Sequence, residues 1–254
     1  MEIATRSKTQ PKGNNRATYV LVHGGWHGSW CWKRVRKALQ DAGHEVFTPS
    51  LTGVGERSHL NSATVNLSTH IADVVNLIRW EELTDVILCG HSYGGFVISG
   101  VADQIPDQIR ALVYFDAFVP EDGECLSDLR SHEQVLEMRQ QVQTTGDGWK
   151  VAPIPAEVFN VNPHDSAWVN AQCTPQSLAS LEEPIRLRGG LARIQDVTHI
   201  LATGWGGSGG SPIPASHERA KMKGWRTRTI ACGHEVMLDL PNELTDLLLE
   251  YTSS

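Results

Sequence analysis

The 254-residue chain is 40% hydrophobic and 20% charged, proportions that suit a globular protein with one ample core. Its formal net charge of -7 gives no reason to expect a nucleic-acid partner. No apolar run approaches bilayer length and the N-terminus lacks the apolar core of a secretory signal, so no membrane is expected and the cytoplasm is the default location.

Residues 1–16 carry Arg6, Lys8, Lys12 and Arg16 against Glu2 and are expected to form a polar, disordered arm. A strand-like run at 19–22 then empties into His23-Gly24-Gly25-Trp26. Trp32, Val35, Leu39 and Ala42 share one helical face before Gly43, and a second strand is expected at 45–48. Ile71, Val74, Val75, Ile78 and Leu83 repeat the helical spacing ahead of a strand at 86–89. Further strands are expected at 111–115, 199–202 and 227–231, and a closing helix at 241–251 begins with Pro241. This alternation predicts an α/β fold with a mostly parallel sheet covered on both faces. It breaks between Pro120 and about Arg193, where a helical piece near 134–142 meets Gly146-Asp147-Gly148-Trp149 and a proline-rich stretch. The expected division is therefore a core of 17–119 and 194–254 with a cap or lid insertion at 120–193.

Three segments carry chemistry. Gly90-His91-Ser92-Tyr93-Gly94, at the end of an apolar run, reads as a nucleophile elbow, a sharp strand-to-helix turn that exposes Ser92 Oγ. The N–H of Tyr93 then points where an oxyanion forms, and the glycine turn after the first strand can bring a second N–H, that of Gly25, to the same place. Serine needs a base, and His234, following Gly233 after the last strand, is the candidate. His23 and His91 belong to these motifs as loop braces; His27, His59, His70 and His199 have no assigned chemistry. His23 and His27 are spaced like a helical metal pair, but intervening glycines and the lack of a third ligand argue against a metal. Cys31, Cys89, Cys125, Cys173 and Cys232 are scattered, odd in number and without a Cys-x-x-Cys pair, so they read as reduced core thiols.

These residues, with 23–32, Leu51-Thr52-Gly53-Val54-Gly55-Glu56-Arg57, Phe115-Asp116-Ala117-Phe118-Val119-Pro120 and Gly233 to Leu238, resemble the α/β-hydrolase superfamily. The likeness is strongest to its compact branch of plant-type methylesterases, hydroxynitrile lyases and bacterial small-ester hydrolases. The resemblance implies an α/β-hydrolase fold, no cofactor, and a cap after Asp116 that shapes the substrate pocket. Trp149, Phe159 and Trp168, with Val158 and Val161, are the cap candidates for that pocket, and Gly24 and Trp26 are the candidates from the oxyanion loop. Caps of related proteins also form dimer contacts, so a homodimer is an open expectation.

The chain departs from the superfamily's commonest pattern, which places the acid after the penultimate strand, because no carboxylate occurs from Val197 to His217. Asp116 ends the preceding strand, a site that lipases of the superfamily also use, and becomes the expected acid. Glu218, Asp239 or a dyad without an acid are the alternatives. The implied reaction is hydrolysis of a small apolar or aryl ester, with methyl esters and carbamates fitting the same machinery. Hydroxynitrile lyases carry threonine and lysine where this chain has Gly24 and Glu235, and an acidic residue opposes cyanide. A cofactor-free oxygenase and a non-catalytic receptor are the remaining alternatives.

Overall fold

The computed structural model describes residues 16–205 and 211–252. The basic arm, apart from Arg16, and residues 206–210 of the glycine-rich loop lie outside them. Six strands form one parallel sheet in the order β2-β1-β3-β4-β7-β8. They are β1 (Thr18–Val22), β2 (Glu45–Phe47), β3 (Val86–His91), β4 (Ile109–Phe115), β7 (Asp196–Ala202) and β8 (Arg226–Ile230). All six strand runs expected from the sequence are present. Consecutive residues of β3 are all buried, so both faces of the sheet are covered, as its uninterrupted apolar run requires. The edges differ: β2 has three residues, and β8 reads Arg-Thr-Arg-Thr-Ile and is partly exposed. Short or charged edges discourage pairing with another chain.

Helices α1 (Lys33–Asp41), α2 (Leu67–Trp80) and α3 (Gly94–Gln104) connect the first four strands. The insertion after β4 holds α4 (His132–Thr145), α5 (Pro163–Gln172), α6 (Leu178–Glu182) and an antiparallel ribbon of β5 (Lys150–Val151) and β6 (Gln176–Ser177). Helix α4 begins earlier than its apolar spacing suggests because Ser131 and Gln134 form a reciprocal capping box. Helices α7 (Ile213–Met222), α8 (Val236–Asp239) and α9 (Pro241–Leu249) complete the fold. Helix α1 packs with α9, and α2 with α3. The Tyr19 hydroxyl donates to the carbonyl of Leu248 at 2.9 Å, tying the central strand to the closing helix.

The chain leaves β1 toward β2 on one side and returns to β3 on the other. Strand order therefore reverses between β1 and β3, and the crevice beyond their C-terminal ends is where open parallel sheets bind ligands. Both glycine-bearing motifs emerge there.

Candidate active site

The turn after β3 is built for close approach. A Cβ on Gly94 would stand 2.8 Å from the carbonyl oxygen of His23, and one on Gly95 would stand 2.1 Å from that of Phe118. Only glycine lets α3 begin there. Ser92 sits at φ 53°, a left-handed conformation costly for a residue with a Cβ and held by surrounding structure. Its carbonyl accepts the amides of Gly95 at 3.0 Å and Phe118 at 3.1 Å. The Tyr93 phenol points away from the crevice, donating to His70 Nδ1 at 2.8 Å, while His70 Nε2 donates to the carbonyl of Thr52 at 2.9 Å.

In the loop after β1, His23 Nδ1 donates to the carbonyl of Gly24 at 2.7 Å, and its Nε2 accepts the amide of Leu51 at 3.1 Å. A trans peptide directs its C=O and N–H oppositely, so holding the Gly24 carbonyl also aims the N–H of Gly25. Both ring nitrogens of His23 are thereby engaged, and burial pushes its pKa down to about 3, which leaves it no role as a metal ligand. The next residue in the loop, Trp26, has φ 63°. Its amide donates to Gln176 Oε1 at 2.9 Å and its indole N–H to the carbonyl of Val151 at 3.2 Å. Both partners lie in the insertion, which thus fastens the loop after β1. Among the described residues, no hydrogen bond engages the amides of Gly25 or Tyr93.

His234 Nδ1 donates to Asp116 Oδ2 at 2.6 Å, with both side chains buried. Asp116, at φ 41°, also accepts the Trp205 indole N–H at 2.6 Å and the Ala202 amide at 2.9 Å. Three donors on one carboxylate compensate its burial. Because a carboxylate only accepts, Nδ1 carries the proton and Nε2 is left for proton transfer. The ring is packed by Trp205, with centroids 4.2 Å apart, His91 at 4.5 Å and Phe159 at 4.9 Å. Phe159 also accepts the His234 amide at its carbonyl, at 2.9 Å. Ser92, His234, Gly24, Gly25, Trp26, His27, His91, Phe159 and Glu235 line one narrow cleft.

The scan of family models matches the Alpha/beta hydrolase family over residues 19–247. The chain belongs to that family. A carbendazim hydrolyzing esterase from Nocardioides sp. is 47% identical over 245 residues, 91% of this chain and 98% of that protein. Methyl jasmonate esterase 1 of Vitis vinifera is 28% identical, covering 71% of each chain. Among solved structures, an extracellular alpha/beta-hydrolase from a Paenibacillus species superposes with a TM-score of 0.80 at 25% identity, covering 92% of this chain and 98% of that one. This alpha/beta hydrolase is a carboxylic ester hydrolase, in line with the two esterases above.

Other residues singled out in the sequence lie elsewhere. Glu218 is exposed on α7 and pairs with Lys221 at 2.7 Å, and Asp239 accepts the Asn162 amide at 3.0 Å. Trp149 is half-buried outside the cavity at Ser92, with Lys150 5.1 Å over its ring. Trp168 meets Trp30 edge to face at 4.9 Å, and Trp30 in turn stacks on His27 at 5.0 Å. It therefore backs the cavity wall instead of forming it. Aromatic residues in a cap must also pack the cap, and composition does not tell the two uses apart.

Five residues take parts here that the sequence did not assign them. Trp205 and Gln176 act over long sequence separations, with no local signal. His27 and Glu235 form a buried ion pair, Nε2 to Oε1 3.3 Å apart. Burial opposes the charged imidazole, but Glu235 and Cys173 outweigh it and raise His27 to about 10. The fifth is His91, expected as a loop brace. Its Nε2 donates to the carbonyl of His234 at 3.0 Å, and burial, then His234 and His27, hold its pKa well below the usual value. Its Nδ1 is consequently a bare acceptor. His91, His234 and Glu235 are also the described residues whose donor atoms, within 4.8 Å of one another, could hold a metal, although His234 and His91 each spend one nitrogen as above.

Proposed function

We propose that Ser92, His234 and Asp116 are the nucleophile, base and acid of this ester hydrolase, with the amides of Gly25 and Tyr93 as its oxyanion donors. The carrying observation is the 2.6 Å hydrogen bond from His234 to Asp116, behind a strained Ser92 that lines the same cavity. His234 Nε2 takes the hydroxyl proton as Ser92 Oγ attacks the carbonyl, and the two amides receive the developing charge. Collapse expels the alcohol, protonated by His234, and water then releases the acyl group by the same steps reversed.

A second cavity of about 340 Å³, walled by Met138, Val151, Pro153 and Ile154 with Arg130 and Glu137 among its polar members, shares Trp26 with the first. The insertion thus acts as a cap that provides a mostly apolar chamber for an aryl or alkyl group of the substrate. A small aryl or methyl ester or carbamate fits this layout, and the carbendazim-hydrolyzing relative supports the carbamate. The five free cysteines support a reducing compartment such as the cytoplasm. A buried Glu235 beside the base speaks against cyanide chemistry.

The test is p-nitrophenol release from short p-nitrophenyl esters by wild type and a folded Ser92→Ala variant. Turnover lost in the variant supports the assignment; equal turnover in both refutes it.

A further inference from the structure

The catalytic cavity holds polar atoms that the catalytic steps leave unused. His91 Nδ1 and both oxygens of Glu235 are buried and have no hydrogen-bond partner among the described residues. His91 Nδ1 and Glu235 Oε2 lie 4.0 Å apart, and both residues line the same cavity as Ser92. His27 Nε2 supplies counter-charge to Glu235 from 3.3 Å without forming a hydrogen bond to it, while its Nδ1 donates to the carbonyl of Gly25 at 2.7 Å. Glu235 is fully buried.

Each unpaired atom is an acceptor. His91 spends its one proton on the His234 carbonyl, and an ionised carboxylate has none to give. A buried acceptor without a donor costs free energy, and three of them on two residues that line one cavity define what would relieve that cost: a hydrogen-bond donor brought by the ligand. An ordinary ester has no donor next to its carbonyl. A carbamate of a primary amine has one, the N–H bonded directly to the carbonyl carbon.

We propose that Glu235, with His91 beside it, is a recognition site for an N–H donor on the acyl side of the substrate, so that the enzyme selects N-monosubstituted carbamates over esters and carbonates of the same shape. The inference rests on the hydrolase reading and names the acyl class for the same site. With the carbonyl oxygen on the Gly25 and Tyr93 amides, the adjacent N–H donates to the Glu235 carboxylate, and His27 offsets the negative charge that would otherwise oppose the oxyanion. No covalent step is added. Loss of the alcohol leaves a carbamoyl group on Ser92, water releases carbamic acid, and this divides into amine and carbon dioxide.

The test compares methyl N-phenylcarbamate with methyl phenyl carbonate, in which oxygen replaces N–H. Binding is titrated by ligand-observed NMR on the folded Ser92→Ala protein, so the readout does not depend on turnover. The carbamate is expected to bind about 10- to 100-fold more tightly, the discrimination of one hydrogen bond to a charged acceptor. Glu235→Gln, in the same background, should reduce that ratio, and His27→Leu with Glu235→Met, which replaces the ion pair by apolar side chains and so avoids a lone buried charge, should bring it near one. Equal binding of the two ligands by the Ser92→Ala protein, or a ratio that survives the double replacement, overturns the proposal. So does a preference that disappears in EDTA, which would identify a metal ion as the occupant of these acceptors. Failure of the hydrolase reading appears separately, as p-nitrophenyl ester turnover that Ser92→Ala does not abolish.

Discussion

Replacing Asp116 by asparagine changes almost no volume and removes one charge, so it isolates what the acid does. Three N–H groups, from His234, Trp205 and Ala202, converge on the two carboxylate oxygens at 2.6, 2.6 and 2.9 Å. An amide offers one oxygen and one NH2, so it cannot accept from all three. With its NH2 toward His234 it donates to Nδ1, the proton moves to Nε2, and the base can no longer take the serine proton. With its NH2 toward Ala202 the tautomer survives, but the imidazolium loses a charge worth about 4 kcal/mol at an effective dielectric of 20 and 4 Å. The first arrangement matches the roughly 10⁴-fold loss seen for this replacement in a serine protease; the second corresponds to about 10³. Either leaves one buried donor unpaired, at about 1–3 kcal/mol of stability. The assay is kcat on p-nitrophenyl acetate, with circular dichroism to confirm folding. A folded Asp116→Asn enzyme within tenfold of wild type would refute the assignment, and Glu218→Gln, altering an exposed pair, should stay within about twofold.

Gly24→Ala should lower kcat at least about 10²-fold in the same assay, because its Cβ would stand 2.8 Å from His91 Nδ1 and 2.9 Å from Ser92 Cβ and must displace the nucleophile. His23→Ala should cost about 10²- to 10³-fold in kcat with a smaller change in KM, the signature of a mis-aimed oxyanion donor. Stability should fall as pH drops below about 6.5, since burial holds His23 at about 3 and His199 at about 4 and keeps both neutral in the fold, whereas unfolding lets them charge. Each contributes up to about 1.4 kcal/mol per pH unit, readable as a falling urea midpoint from pH 7 to 4.5, and a flat midpoint would contradict their burial. His27 acts with the opposite sign: raised to about 10, it stabilises fully below about 6.5 and loses that contribution as pH climbs toward 10.

Much of this site was legible because its parts are local. A strand buried on both faces shows as an apolar run, so β1, β3 and β4 could be placed without a partner in view, and the glycines of 90–95 announce a turn with no room for side chains. Asp116 was legible for a related reason: a carboxylate directly after Val113-Tyr114-Phe115 must be buried, and a buried carboxylate needs donors. What was not legible depends on residues far apart in sequence. Trp205 completes the shell of Asp116 from 89 positions away, and Gln176 reaches Trp26 from 150 positions away. Glu235 was visible as an acidic neighbour of the base, but its sequence position is the same whether the side chain faces solvent or the cavity. Of the cap aromatics, Phe159 reaches the cavity, whereas Trp149 lies beside Lys150 and Trp168 against Trp30, a difference that apolar character alone does not reveal.

The cavity also concentrates the fold's local costs. Ser92, Asp116 and Trp26 all hold positive φ, at roughly 1–3 kcal/mol each, and the unpaired acceptors of His91 and Glu235 add to that. Such costs persist only where neighbouring packing over-determines the geometry, and here the neighbours are the most deeply buried strands, β1, β3 and β4, with Gln176 and Phe159 closing from the insertion. The two kinds of cost have different remedies. Strain at Ser92 and Asp116 is present throughout the reaction and serves position alone. The empty acceptors can be relieved by a ligand, so their cost in the free enzyme becomes selectivity when a donor arrives. If that division is right, removing the acceptors should stabilise the free protein while flattening its preference among acyl groups, whereas relaxing the strained turns should affect every substrate alike.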